Sequence, residues 1–366
     1  MRIALATDAW TPQTNGVVTT LKATAATLTS LGHEVRVISA QGLTCIACPS
    51  YPEIRVALSP GAHVARQLKK LRPHAIHIAT EGPLGLAVRR YCRARRVPFT
   101  TSYHTRYPEY LRARWPIPLG LSYAWLRRFH TAATRTFVSS ATLEAQLSAR
   151  GFTHLHLWRR GVDLRTFRTV APHPELAGLA RPIMACVSRL AVEKNLEAFL
   201  SLEVPGTKLV IGDGPERAAL AARYPRAVFA GYRFANELAA FLSGADVLVF
   251  PSLTDTFGLT MIEALACGVP VAAFPVPGPL DVLEAGVTGV LHQDLRVAIG
   301  AALRLDRRVC AERGAAFTWH AATNQFLAGL AWIPLPVRAR LAVSRSSAMI
   351  ARIASRRQTS GAGDAH

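Results

Sequence analysis

The stretch Asp255-Thr-Phe-Gly-Leu-Thr-Met-Ile-Glu263, running on into Ala264-Leu-Ala-Cys-Gly-Val-Pro-Val271, decides how the rest of the chain is read. It follows an unbroken apolar run, Val247-Leu-Val-Phe250, closed by Pro251 and Ser252, which predicts a buried strand. Next come an acid, a Phe-Gly turn and a helix that carries a second acid eight positions after the first. Strand, loop and helix in this order make one unit of a parallel sheet. Carboxylates so spaced lie a little over two helical turns apart, so each meets a different part of a ligand. Hydroxyls bound away from water need hydrogen-bond acceptors, which Asp255 and Glu263 supply. The free N–H groups at the helix start favour anionic groups. The stretch alone suits a sugar joined to a phosphate.

Working outward, short apolar runs alternate with helix-period segments. Strands are predicted at 2–7, 35–39, 75–79, 98–102 and 135–139, and a second series at 182–187, 208–211, 227–230, 246–250 and 269–274. A helix over 17–31 stops at Gly32. Between the series, 167–181 carries Pro172, Pro174 and Gly178 and reads as a linker. The expected fold is α/β: two doubly wound, Rossmann-like domains at 1–170 and 171–316, with a late helix over 317–330. The segment 331–366 is a basic tail, either an amphipathic helix at a bilayer surface over 337–357 or a disordered extension.

With 366 residues, half of them hydrophobic, the chain can bury two cores and is not a disordered polymer. The nearest approach to a membrane span, 264–280, is broken by Gly268 and four prolines. The N-terminal Ile3-Ala-Leu-Ala-Thr7 reads as a strand without the h-region or cleavage site of a signal peptide. Six cysteines are scattered; Cys45 and Cys48 form a lone C-x-x-C with no second pair or matching His spacing, which argues against zinc and for a reducing cytoplasm.

The net charge of +20 is unevenly placed. Residues 1–171 hold 24 Lys/Arg against 7 Asp/Glu, residues 172–330 hold 13 against 15, and residues 331–366 hold 6 against 1. A basic first half suggests an anionic partner surface, membrane or nucleic acid. Lys69-Lys-Leu-Arg72, the Arg89 to Arg96 cluster and Arg112 to Arg114 are interleaved with Tyr110, Trp115, Tyr123 and Trp125, a mixture suited to a lipid headgroup boundary. A solvated Arg-rich surface is the alternative.

Further constellations stand at strand ends. Asn15-Gly16-Val17 opens the first helix, where Gly16 permits close approach of a ligand to the backbone. No G-x-G-x-x-G occurs there, which counts against a dinucleotide oxidoreductase. In Ser188-Arg-Leu-Ala-Val-Glu-Lys-Asn195, Arg189 and Lys194 reach one pocket, the first as a planar donor to phosphate oxygens and the second as a point charge. Gly212-Asp-Gly-Pro215 is a two-glycine turn, and Tyr103-His104-Thr105 ends a strand facing the cleft.

The segment 251–279, with R-x4-K-N at 189–195, resembles the GT4-type (glycosyltransferase group 1) retaining glycosyltransferases of the GT-B fold. That family includes mannosyltransferases acting on phosphatidylinositol or glycolipids and sulfoquinovosyl-diacylglycerol synthases. The likeness covers residues 1–330, and the family has Glu where this chain has the shorter Asp255. The resemblance implies a nucleotide-diphosphate sugar donor, UDP- or GDP-linked, with no cofactor and no metal. It implies that Arg189 and Lys194 hold the diphosphate and Asp255 and His104 contact the sugar, while Glu263 accepts the ribose hydroxyls. Gly212 and Gly214 would line the nucleotide, Gly16 would face the diphosphate, and the Phe257-Gly258-Leu259 backbone would meet sugar and diphosphate. Arg160-Gly-Val-Asp163 matches a family segment read as hinge structure, with Asp163 a cleft candidate. Asp8-Ala-Trp-Thr-Pro-Gln-Thr-Asn-Gly16, Glu81-Gly-Pro-Leu-Gly85 and Thr254-Asp-Thr-Phe257 look most like glycolipid-forming members. With the basic first half they imply a peripheral enzyme at the inner face of the membrane, a diacylglycerol or glycolipid acceptor, and no nucleic-acid partner. Polysaccharide, lipopolysaccharide and soluble acceptors stay open. So do a nucleotide-sugar epimerase or hydrolase on the same fold and a non-catalytic binding protein.

Overall fold

The computed structural model describes residues 1–48 and 51–338. The basic amphipathic segment expected at 337–357 lies, past Arg338, outside the described residues.

The first sheet begins with β1 (Arg2–Ala6), whose last four residues are buried because helices cover both faces, and continues through β2 (Glu34–Ile38). A separate antiparallel hairpin follows, β3 (Cys45–Cys48) and β4 (Tyr51–Ala57), which the sequence pattern does not announce. β5 (Ala75–Ile78), β6 (Thr100–Ser102), β7 (Arg135–Val138) and β8 (Leu155–Leu157) complete a six-stranded parallel sheet ordered β2-β1-β5-β6-β7-β8. Helix Gly16–Ser30 packs one face through Leu21 and Leu28. Helices Gly61–Leu71, Pro83–Arg95 and Leu119–His130 pack the other through Val64, Val88 and Phe129.

The second sheet comprises β9 (Ile183–Val187), β10 (Thr207–Ile211), β11 (Val228–Gly231), β12 (Val247–Phe250), β13 (Val271–Ala273) and β14 (Gly289–Leu291), ordered β11-β10-β9-β12-β13-β14. Met261 and Leu265 of helix Leu259–Ala266 pack with Phe241 on one face, while Phe199, Leu220 and Ile299 form the core of the other. The strand order reverses between β1 and β5 in the first sheet and between β9 and β12 in the second. In doubly wound sheets the crevice outside the strands' C-terminal ends at such a reversal is where ligands bind.

Helix Trp319–Gly329, capped by the Thr318 hydroxyl, carries the chain back: Phe326 enters the first sheet's core, and Arg135 donates to the Gly329 carbonyl at 3.1 Å. Among the described residues no helix is long and apolar enough to cross a membrane.

Candidate functional site

The loops leaving β9 and β12 meet at the reversal point. After β9 the chain runs through Ser188 and a half-buried Arg189 to a single turn, Val192–Lys194, and Asn195 closes it in the left-handed region at φ 53°. Asn195 then donates to the Pro251 carbonyl at 3.1 Å, tying this loop to the end of β12. Lys194 is thereby aimed at Asp255, with Nζ 2.5 Å from Oδ1. Burial opposes the Lys194 charge, but Asp255, with Tyr110 and Glu193, outweighs it and holds the ammonium above its ordinary range.

Gly212 and Gly214 back this loop. A Cβ on Gly212, at φ 134°, would stand 1.9 Å from the Ser188 carbonyl oxygen, and one on Gly214 would stand 2.3 Å from that of Leu190. Both glycines are therefore required by backbone-to-backbone packing of the two loops.

After β12, Phe257 buries its ring in the sheet core and fixes the turn at Gly258, whose φ of 87° suits glycine. No side chain among the described residues caps helix Leu259–Ala266; Met261 N–H donates to the Gly258 carbonyl at 3.0 Å, and the Leu259 and Thr260 N–H groups are left to a ligand. A Cβ on Gly16 would lie 3.6 Å from Leu259 Cδ1, so the starts of helices Gly16–Ser30 and Leu259–Ala266 face each other across the cleft. That spacing is ordinary contact, and protein packing alone does not demand a glycine at 16. Glu263 is half-buried, and its carboxylate has no hydrogen bond or ion pair among the described residues. Burial pushes its carboxyl up to about 7.

The first sheet supplies the opposite wall. His104 follows β6; its carbonyl accepts from the Thr256 hydroxyl at 2.8 Å, and the Ser139 hydroxyl donates to the Thr256 carbonyl at 2.7 Å. The loop that holds Asp255 is thus stitched to the His104 wall. Arg160 donates to His104 Nδ1 at 3.1 Å. Asp163, by contrast, is exposed and caps its own turn through Arg165 and Thr166 rather than facing the cleft.

Several of these contacts have no signal in the sequence, and Arg114, expected in a cluster facing lipid, is ion-paired across the cleft instead. Arg114 of helix Tyr107–Arg114 pairs with Glu193 at 2.7 Å, joining the first unit to the loop between Arg189 and Lys194. Asp281 accepts from the Thr142 amide at 2.9 Å at the start of helix Ala141–Ala149. Asp8 caps the start of helix Pro83–Arg95 through Leu84 and Gly85, and Glu81 beside it is buried against His130 at 3.1 Å. The segments around Asp8 and Glu81 therefore meet at the first sheet's own reversal. Glu193 sits inside the R-x4-K-N run, and its acidity between two cations was the one available signal. Tyr123, expected at a lipid boundary, instead packs in a core with Phe152, and Tyr110 reaches Thr254; Trp115 and Trp125 are exposed as expected.

Residues 14–166 match Glycosyltransferase Family 4, and residues 181–305 match Glycosyl transferases group 1. A GDP-mannose-dependent alpha-mannosyltransferase of Mycobacterium tuberculosis is 31% identical over 316 residues, 80% of this chain and 83% of the relative. The sulfoquinovosyl transferase SQD2 of Arabidopsis thaliana is 30% identical over 269 residues, 68% of this chain and 52% of the relative. Among solved structures, sucrose-phosphate synthase from Thermosynechococcus elongatus superposes with a TM-score of 0.73 at 22% identity, over 89% of this chain and 97% of that one. HepE of Anabaena, in complex with UDP and glucose, gives 0.66 at 17% identity, over 90% and 98%. The fold is GT-B. The chain belongs to the family 4, group 1 glycosyltransferases, and it is a hexosyltransferase.

Proposed function

We propose that the protein moves a hexose from a nucleotide-diphosphate sugar to a membrane lipid, diacylglycerol or a glycolipid, with retention at the anomeric carbon. The observation that carries the reading is the convergence of Lys194, Asp255 and an unpartnered Glu263 on the β9/β12 reversal, opposite His104. Lys194 and Arg189 receive the diphosphate and stabilise its charge as it departs, with no metal or cofactor required. Asp255 and His104 face the sugar, Glu263 accepts the ribose hydroxyls, and the amides from Phe257 to Leu259 bind sugar and diphosphate. Gly16 leaves room for the diphosphate, and the Gly212 and Gly214 turn lines the base. The acceptor hydroxyl attacks from the face the nucleotide leaves, and the departing phosphate oxygen takes its proton. Mannose from GDP-mannose is the first donor to test, because the mycobacterial relative is named for it.

The lipid acceptor is supported by charge and surface. Helices Gly61–Leu71 and Pro83–Arg95 border a groove of about 1360 Å³ lined by Arg66, Lys69, Lys70, Arg72 and Arg90, among others, with Glu34 its one acid. Trp115, Leu121 and Trp125 are exposed, and Trp125 stacks on Phe129, whose carbonyl accepts from Arg89 of helix Pro83–Arg95. Cations beside exposed aromatics suit an anionic bilayer, which would hold the enzyme peripherally at the inner face of the membrane.

The test is a product assay with UDP- and GDP-sugars and anionic liposomes containing diacylglycerol. A glycolipid formed by the wild type and lost in Lys194→Ala and Glu263→Ala is expected. Donor binding without lipid product would remove the lipid acceptor, and donor hydrolysis without acceptor would favour a hydrolase.

A further inference from the structure

Arg160 is a buried guanidinium with no carboxylate partner among the described residues. It is held by the Trp158 and Arg159 carbonyls, at 2.5 and 3.3 Å, and lies 4.5 Å over the Trp158 ring. The backbone beside it is equally fixed. A Cβ on Gly161 would stand 2.4 Å from the Trp319 amide nitrogen, and Val162 bridges to Thr318 where the returning helix begins. A cation kept at this cost, tied to the hinge and aimed at one imidazole, points to a role in that ring's chemistry.

A guanidinium only donates, so in the 3.1 Å bond from Arg160 Nη2 the His104 Nδ1 must be the acceptor. Burial, then Arg160, then His77 and His130, hold the ring far below the ordinary imidazole range, so it is neutral. A neutral ring that accepts at Nδ1 carries its proton on Nε2. His104 Nε2 is buried and has no hydrogen-bond partner among the described residues. The ring edge-packs on Trp158 at 5.7 Å, and its carbonyl is tied to Thr256, next to Asp255.

We propose that Arg160 is a positioning residue that locks His104 in the Nε2–H tautomer, so that His104 serves as a hydrogen-bond donor to an oxygen of the transferred sugar and not as a proton acceptor. The sugar as ligand rests on the function proposed above; the locked tautomer does not. The arrangement leaves Nε2–H as one directional donor without a partner among the described residues, and it rules out His104 as the base that deprotonates the acceptor. The His104 carbonyl is held by Thr256 of the Asp255 loop, so the place of the ring beside Asp255 depends on that contact between the two units.

The experiment pairs ligand-free imidazole NMR on selectively labelled protein with kinetics of Arg160→Met, Arg160→Gln, His104→Gln and His104→Asn. Wild type is expected to show His104 protonated at Nε2 alone from pH 5.5 to 8. Arg160→Met is expected to let Nδ1 take up a proton within that range, and Arg160→Gln, which keeps a donor, to restore the wild-type pattern. Arg160→Met should lower kcat about tenfold or more while leaving nucleotide-diphosphate binding within about threefold. His104→Gln, whose amide nitrogen replaces Nε2, should retain more activity than His104→Asn, and adding Arg160→Met to it should cost little more. An unchanged His104 spectrum in folded Arg160→Met, or fully multiplicative losses in the double variant, would overturn the proposal. Failure of the wild type to bind UDP or GDP would instead strike the proposed function, and the tautomer measurement would still decide the role of Arg160.

Discussion

At the residue scale the site is a set of charges in unequal surroundings. Lys194 and Asp255 satisfy each other at 2.5 Å, whereas Glu263 has no partner among the described residues and its carboxyl rises to about 7. Asp255 faces the sugar in this account and touches no part of a free nucleotide. Asp255→Asn should therefore lower kcat about a hundredfold or more while nucleotide-diphosphate affinity, read by calorimetry, moves little. Glu263 gives a pH dependence with a definite sign. Its folded carboxyl titrates above the ordinary glutamate value, so the proton it holds favours the folded state at low pH, and that contribution is lost as pH rises through about 7. Ribose hydroxyls prefer the ionised form, so donor affinity should tighten as pH rises through about 7 and then level off. Glu263→Gln should flatten that profile in a pH series of donor binding.

At the element scale the strand–loop–helix units do the positioning, and glycines decide how closely the loops approach. Gly212→Ala would drive a methyl into the Ser188 carbonyl at a φ of 134°, so it should cost about 1–3 kcal/mol of stability and weaken nucleotide binding. Gly16→Ala meets only Leu259 at 3.6 Å and sits at a helix start, so it should fold normally and lose donor affinity if a diphosphate approaches there. Thermal melts beside calorimetry separate the two cases. The long buried strands such as β1, β9 and β12 were legible because burial on both faces writes continuous apolar runs. β8 and β14 were not, since only one of their six residues is buried and they write no continuous apolar run, and nor was the β3–β4 hairpin, whose seven-residue β4 carries Pro52 and Glu53 and lies outside the parallel series. Arg189, Lys194 and Asp255 were legible as motifs because each stands in the loop that leaves its strand, and Glu263 because it follows Asp255 within the next helix.

At the scale of the whole molecule, what the sequence hid is what crosses the cleft. Arg114 and Glu193 are 79 residues apart and Ser139 and Thr256 are 117, and no local pattern announces either meeting. These contacts join the first unit to the loops that follow β9 and β12, so Arg114→Ala should loosen that junction and raise the donor KM several-fold without loss of either core. The surface charge has its own consequence. If the groove between helices Gly61–Leu71 and Pro83–Arg95 meets anionic lipid, vesicle binding should fall with salt, and Lys69→Glu with Lys70→Glu should weaken it without changing nucleotide affinity. Co-sedimentation with vesicles at two ionic strengths reads this directly. The central claim, that the β9 and β12 loops form a nucleotide-diphosphate sugar site, is tested most directly by calorimetric titration of GDP, UDP and GDP-mannose into wild type, Lys194→Ala and Glu263→Ala. One nucleotide should bind the wild type and lose about tenfold or more in affinity in each variant. No binding to folded wild type, or binding indifferent to both substitutions, would contradict the account.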